Sequence, residues 1–226
     1  NKKVSKGVST GFEKVITMKP MDFEEYLWAI GLEKSVIEYV KKCFSEKTQV
    51  IPNVNEKLMK YFKEYLCVGG LPDVVNVFNL THDLMQVREV QQSILESYKD
   101  DFGKHLNKNE VQEIDQTELT KIMQVYKSIP NQLAKENKKF KYKLVSNNAK
   151  ARSHSNAITW LEEFGLICKC HNLNNLELPL DGNKEEDSFK IYVTDTGLFI
   201  AMLEEGTVDN IINGDLKVYK GAIFEN

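Results

Sequence analysis

Asn148-Ala149-Lys150-Ala151-Arg152-Ser153-His154-Ser155-Asn156-Ala157-Ile158-Thr159-Trp160-Leu161-Glu162-Glu163-Phe164-Gly165-Leu166-Ile167-Cys168-Lys169-Cys170 changes its periodicity once, at Gly165. Before it, Ala157, Ile158, Leu161 and Phe164 recur at three- and four-residue steps, which predicts a helix capped by Asn148 or Ser153. Gly165 stops that helix, and Leu166 to Cys170 reads as a strand. Further on, a polar loop containing Asp181-Gly182-Asn183-Lys184-Glu185-Glu186-Asp187 precedes a returning strand, Phe189 to Val193, and a closing helix, Thr196 to Leu203. Working backwards, Leu119 to Ile129 is helical with Leu119, Ile122, Met123, Tyr126 and Ile129 inward. Pro130 is expected to open a second short helix, Asn131 to Asn137. Lys138 to Val145 alternates Phe140, Tyr142 and Leu144 with Lys139, Lys141 and Lys143, the pattern of a short strand. Three helices followed by a two-strand ribbon is the order of a winged helix-turn-helix, whose third helix can enter a major groove.

The first half reads as a helical bundle. Residues 11–19 alternate weakly, as a strand that Pro20 stops. Asp22 with Glu25 is a capping-box pattern opening a short helix, and Gly31 closes it. Leu32 to Ser45 carries a helical stripe. A helix capped by Asn53 or Asn55 buries Leu58, Tyr61, Phe62, Tyr65 and Leu66 and ends at Gly69-Gly70. Pro72 restarts a helix to about Phe78, and a longer one runs from about His82 to Phe102. The fold class is therefore mostly α: a helical, lid-like bundle (21–113), then a winged helix-turn-helix domain with a small β-ribbon (114–206).

The chain has 226 residues, of which 42% are hydrophobic and 28% charged, enough for one large domain or two small ones. No 18-residue apolar run and no signal-peptide core occur, and Cys43, Cys67, Cys168 and Cys170 show no disulfide framework, so a cytoplasmic protein with no membrane contact is expected. The net charge is −3, yet Lys135 to Arg152 holds seven basic residues against one acidic, a local +6 that leaves the remainder at −9. That island is either a solvated face or a phosphate-contact surface. The nucleic-acid contacts it nominates are Lys138, Lys139, Lys141, Lys143, Lys150, Arg152, Ser153, Ser155 and Asn156, with Thr159 also on the outer helix face; these residue types bond phosphates and base edges.

Several chemistries lack support. No Gly-x-x-x-x-Gly-Lys-Ser/Thr loop and no apolar strand ending in Asp-Glu is present, so the chain by itself should not hydrolyse ATP. Cys168-x-Cys170 with His171 lacks a second pair at zinc spacing, and no metal site is expected; a half-buried strand explains it. His154 reads as a surface or half-buried residue, and Asp195 as a helix cap.

One resemblance covers nearly the whole chain. Met18-Lys19-Pro20-Met21-Asp22-Phe23-Glu24-Glu25-Tyr26-Leu27-Trp28-Ala29, Val68-Gly69-Gly70-Leu71-Pro72, Tyr98-Lys99-Asp100-Asp101-Phe102, Ile129 to Phe140, Asn156 to Leu161, Lys190 to Leu198 and Gly221-Ala222-Ile223-Phe224-Glu225-Asn226 together resemble a prokaryotic family of AAA-type (P-loop) ATPases. Its C-terminal domain, of unknown function, has a restriction-endonuclease-like core. The resemblance implies an internal fragment lacking the P-loop: 1–20 as the end of the ATPase core and 207–226 as the start of a nuclease-like domain, with Glu225 its first acidic position. It implies ATP and Mg in the parent protein and none bound to this chain. Three functions stay open: a regulatory, DNA-binding portion that couples the ATP state of a core to the winged helix, with Arg88, Asp100 and Asp101 as coupling residues; a stand-alone module binding duplex DNA; and a protein-interaction scaffold that self-associates or binds a partner.

Overall fold

The computed structural model describes residues 16, 18–105, 116–204, 206–214 and 220–226, ten α-helices and one two-stranded antiparallel hairpin. The strand expected over 11–19 lies largely outside the described residues, as do most of 1–20. The side chains of 101–105, 116 and 220, including that of Asp101, also lie outside them.

The first five helices follow local signals closely. Helix α1 (Phe23–Ala29) opens on the expected capping box: Asp22 Oδ1 accepts from Glu25 N at 2.9 Å, and Asp22 N donates to Glu25 Oε2 at 3.0 Å. Helix α2 (Lys34–Glu46) follows. Helix α3 (Pro52–Val68) starts one turn before the expected asparagine caps, because Pro52 takes the first helical position, where its missing N–H costs nothing. Helix α4 (Pro72–Thr81) ends with His82 left-handed at φ 50°, so His82 closes α4 instead of opening the next helix. Helix α5 (Leu84–His105) starts behind Asp83, whose Oδ1 accepts from Met85 N at 2.8 Å.

The second half departs from expectation in two places. Helix α6 (Gln116–Leu133) passes through Pro130 without a break, so the separate helix over 131–137 does not form. Pro130 has no N–H and so forfeits only the bond that a residue there would donate to the carbonyl of Tyr126, and the bond from Ala134 N to Pro130 O at 2.9 Å carries the last turn across it. The strand over 138–145 is also absent: one backbone bond, Phe140 N to Phe189 O at 2.8 Å, is followed by a 3-10 turn at Tyr142–Leu144. A winged helix-turn-helix is accordingly not identified. The third expected helix and the ribbon do form, as α7 (Ala151–Glu163), β1 (Ile167–Leu173) and β2 (Lys184–Val193). Neither Asn148 nor Ser153 caps α7. Lys150 holds the cap position, and Ser153 Oγ reaches back to accept from Lys150 N at 3.3 Å. The register runs from Ile167 opposite Val193 to His171 opposite Phe189, then shifts before Leu173. Helices α8 (Thr196–Ala201), α9 (Thr207–Asn213) and α10 (Lys220–Glu225) complete the chain.

The hydrophobic core crosses the boundary expected at 113/114. A small cluster of Tyr26, Val68, Val74, Val75, Phe78 and Val87 belongs to the first half. The larger one joins Leu66, Cys67 and Leu95 to Ile129 and Leu133 of α6, Leu161 of α7, Ile191 of β2 and Phe199 of α8. Backbone polarity ties the same halves together. Asp195 caps α8, as expected, through Oδ1 accepting from Leu198 N at 2.8 Å, while its Oδ2 accepts from Gly70 N at 2.7 Å. The closeness requires glycine. At Gly69 (φ +77°) a Cβ would stand 2.3 Å from Asp195 Oδ1, and at Gly197 one would stand 2.3 Å from Val68 O. Buried Gln91 then donates to the free carbonyls of Cys67 (2.8 Å) and Val68 (3.0 Å).

Candidate nucleic-acid interface

The cationic surface begins where α6 ends. Gln132 is buried, and its side-chain amide grips Lys141 from both sides: Lys141 N donates to Oε1 and Nε2 donates to Lys141 O, each at 3.0 Å. Phe140 turns inward and stacks on Phe189 at 5.5 Å between ring centroids. With Phe140 inward, the flanking Lys139 and Lys141 stay exposed, as does Lys143 in the following turn. Sequence alternation therefore places Phe140 inward and the three lysines outward correctly although no strand forms, but Leu144, expected inward, is exposed.

Helix α7 buries His154, Ala157, Ile158 and Leu161 and leaves Arg152, Ser155, Asn156 and Thr159 exposed, with Ser153 half-buried and Lys150 exposed at its start. His154 is more buried than the sequence suggests. Its Nδ1 lies 2.8 Å from Ser153 Oγ and its Nε2 3.5 Å from Gln124 Oε1, so it braces α7 against α6. Beside it, a cleft of about 610 Å³ is lined by Thr117, Thr120, Lys121, Gln124, Ser146, Asn147, Asn148 and His154. Hydroxyls and amides line it, and its one lysine, Lys121, is paired with the Glu118 carboxylate.

None of Lys139, Lys141, Lys143, Lys150 and Arg152 has an ion-pair partner among the described residues. Lys138 differs: its half-buried ammonium donates to the Glu225 carboxylate and, at 2.8 Å, to Gly221 O. Lys190 Nζ (2.7 Å) and Tyr192 OH (2.9 Å) also donate to Glu225. Lys138 first and Lys190 second hold the Glu225 carboxyl down to about 2. Below its usual 4.5, this favourable contribution is lost progressively as pH falls to about 2, and it is complete above 4.5. A carboxyl-carbon NMR titration is expected to place the Glu225 midpoint near 2, and Lys190→Ala to move it back towards 4.5.

Arg88 and Asp100, two of the three expected coupling residues, lie apart on α5. Arg88 is half-buried and donates through Nη2 to Leu203 O at 3.2 Å, next to Gln92, which donates to Ala201 O at 2.6 Å; both satisfy carbonyls just after or within α8. Asp100 is exposed at the far end of α5. Cys168 and Cys170 share the outer face of β1, and no group of His, Cys, Asp and Glu among the described residues could hold a metal ion. Among the described residues no helix is long and apolar enough to cross a membrane. The loop between the strands carries the other unexpected surface: Leu176 and Leu178 are 89% and 87% exposed beside Glu177, Asp181, Glu185, Glu186 and Asp187.

Sequence reasoning misses Asp195 as a link between halves, Gln132 as a backbone clamp, and Lys190 and Tyr192 as partners of Glu225. The Gly69-Gly70 pair is a usable signal for the first, because two glycines after a helix permit a close backbone approach. The other contacts join residues distant in sequence and leave no local trace.

Residues 59–209 match the family described as Domain of unknown function (DUF8612), and the chain belongs to that family. The matched region runs from within α3 into α9 and so includes the Gly69–Asp195 junction and the whole cationic surface. No curated protein and no solved structure matches the chain.

Proposed function

We propose that this member of the DUF8612 family grips the phosphate backbone of duplex DNA through the face formed by residues 139–156. The observation that carries this reading is the set of five exposed cations, Lys139, Lys141, Lys143, Lys150 and Arg152, that lack an ion-pair partner among the described residues while the rest of the chain is acidic. Ser155 and Asn156, both exposed, add neutral donors and acceptors beside them, whereas the Ser153 hydroxyl is engaged within α7. In this reading α6, α7 and the β1–β2 hairpin serve as a reduced winged helix, with α7 in the recognition position and α6 replacing two helices. The test is fluorescence anisotropy on a labelled duplex across a salt series. Five neutralised phosphates predict a slope of log affinity against log salt of about −4.5. Changing Lys139, Lys141 and Arg152 to Ala together should flatten it by about 3. Absence of binding at low salt, or a flat response, would sink the reading.

The resemblance to AAA-type ATPases adds a regulatory role: the chain would be the portion that transmits the state of an ATP- and Mg-binding core to this face. Support comes from the junction of Gly69, Gly70, Gln91 and Asp195, which joins the α1–α5 bundle to the hairpin unit, so a displacement of one half would carry the other with it. A nuclease-like role for the segment at Glu225 has no support of this kind, because its carboxylate is held by two lysines.

A second reading, a protein-interaction scaffold, is favoured by Leu176 and Leu178. Size-exclusion chromatography with light scattering should then give an oligomer that Leu178→Asp dissociates; a monomer at all concentrations would rule out self-association.

A further inference from the structure

We propose a phosphate-binding site built by Lys138, Lys190 and Tyr192, which Glu225 occupies in the present conformation with its own carboxylate. The inference rests on the nucleic-acid reading above and extends the same face. Three donors from two separate segments converge on one carboxylate: Lys138 on Oε2, and Lys190 at 2.7 Å with Tyr192 at 2.9 Å on Oε1. Two ammonium groups around one carboxylate leave a surplus positive charge. A phosphodiester presents two non-bridging oxygens that share one negative charge, which is the same demand a carboxylate makes of its donors.

Helix α10 is also held by ties other than Glu225. Ala222 and Ile223 are each 2% exposed, and Asn226 bridges the end of β2, accepting from Val193 N at 2.8 Å and donating to Val193 O at 3.1 Å. The side chain can therefore leave its lysines while the helix stays docked. The site is continuous with the exposed cations, because the bond from Phe140 N to Phe189 O lays Lys139 and Lys141 alongside Phe189 and Lys190. Glu225 thus acts as an internal competitor: it occupies two of the cations that a nucleic-acid backbone would otherwise meet on this surface.

The experiment measures duplex DNA binding by anisotropy for wild type, Glu225→Gln and the double variant Glu225→Gln/Lys190→Gln. Freeing two ammonium groups should steepen the salt slope of Glu225→Gln by about 1.8, so that its affinity loss between about 50 and 200 mM salt exceeds that of wild type by roughly tenfold. The double variant should return about half of that change. If wild type binds and Glu225→Gln has the same slope, the masked site is wrong while the binding face stands. If the double variant keeps the full gain, loosening of α10 and not the vacated lysines is responsible, and the site is again overturned. If no variant binds at low salt, the nucleic-acid reading fails and takes this inference with it.

Discussion

Asp195→Ala is expected to lower the stability of the fold by about 3 kcal/mol in urea denaturation. Each buried donor left without its acceptor costs about 1–3 kcal/mol, and this change strands two of them, Gly70 N and Leu198 N. Loss of an N-cap side chain alone typically costs about 1 kcal/mol, so a value near 1 would mean that only the cap matters and that the Gly70 bond is dispensable. Asp195→Asn should not rescue the effect: one of its two acceptor oxygens becomes an amide that opposes a backbone N–H. It should change the pH dependence, however. Burial raises the Asp195 carboxyl above its usual 3.8 against the pull of its backbone donors, so the folded chain holds a proton there more tightly than the unfolded chain does, and stability from this group is lost as pH rises through the raised value. Asn removes that dependence. The sign is opposite to that of Glu225, whose contribution is lost as pH falls.

Gly69→Ala is expected to be at least as damaging, by about 3 kcal/mol or more, and the control is Gly31→Ala. Both glycines have positive φ, at +77° and +82°, where a side chain costs about 1–3 kcal/mol, and Gly69, with ψ −166°, sits in the part of that space almost confined to glycine. A Cβ at Gly31 meets nothing within 4 Å, so only that backbone cost applies. A Cβ at Gly69 would lie 2.3 Å from Asp195 Oδ1 and 2.8 Å from Gly197 N, which forces the two halves apart. Equal losses for the two variants in parallel urea melts would show that the junction yields easily. Combining Gly69→Ala with Asp195→Ala should cost less than the sum, because the second change removes one of the atoms struck by the first.

The difference between legible and illegible features has a physical pattern. The capping box at Asp22, the stop at Gly165 and the cap at Asp195 were readable because each is a bond within three or four residues of its origin. The buried stripe of α7 and the β1–β2 pairing followed from periodicity, since one face of each must meet the core. Pro130 misled because a proline removes one intrahelical bond and need not end a helix whose buried stripe, Val125, Ile129 and Leu133, holds the last turn against the core. Lys138 to Val145 misled because alternation does not say whether backbone bonds form, and the 3-10 turn at Tyr142–Leu144 breaks the alternation and leaves Leu144 exposed. The outward set at Lys139, Lys141, Lys150 and Arg152 was legible from periodicity, whereas the capture of Lys138 by Glu225, 87 positions away in the chain, was not. The packing of Leu66, Cys67 and Leu95 with side chains from the second half joins residues distant in sequence and so left no local trace.

The clamp that Gln132 places on Lys141 has one more consequence. Residues 139–141 lie against β2 by a single bond and would offer their outer backbone groups to any extended chain that came alongside. The Gln132 amide occupies both the N–H and the C=O of Lys141, and the lysines on either side of Phe140 add charge there. Exposed sheet edges are the usual template for aggregation, and a side-chain amide that mimics a neighbouring strand removes that template at the cost of one buried residue.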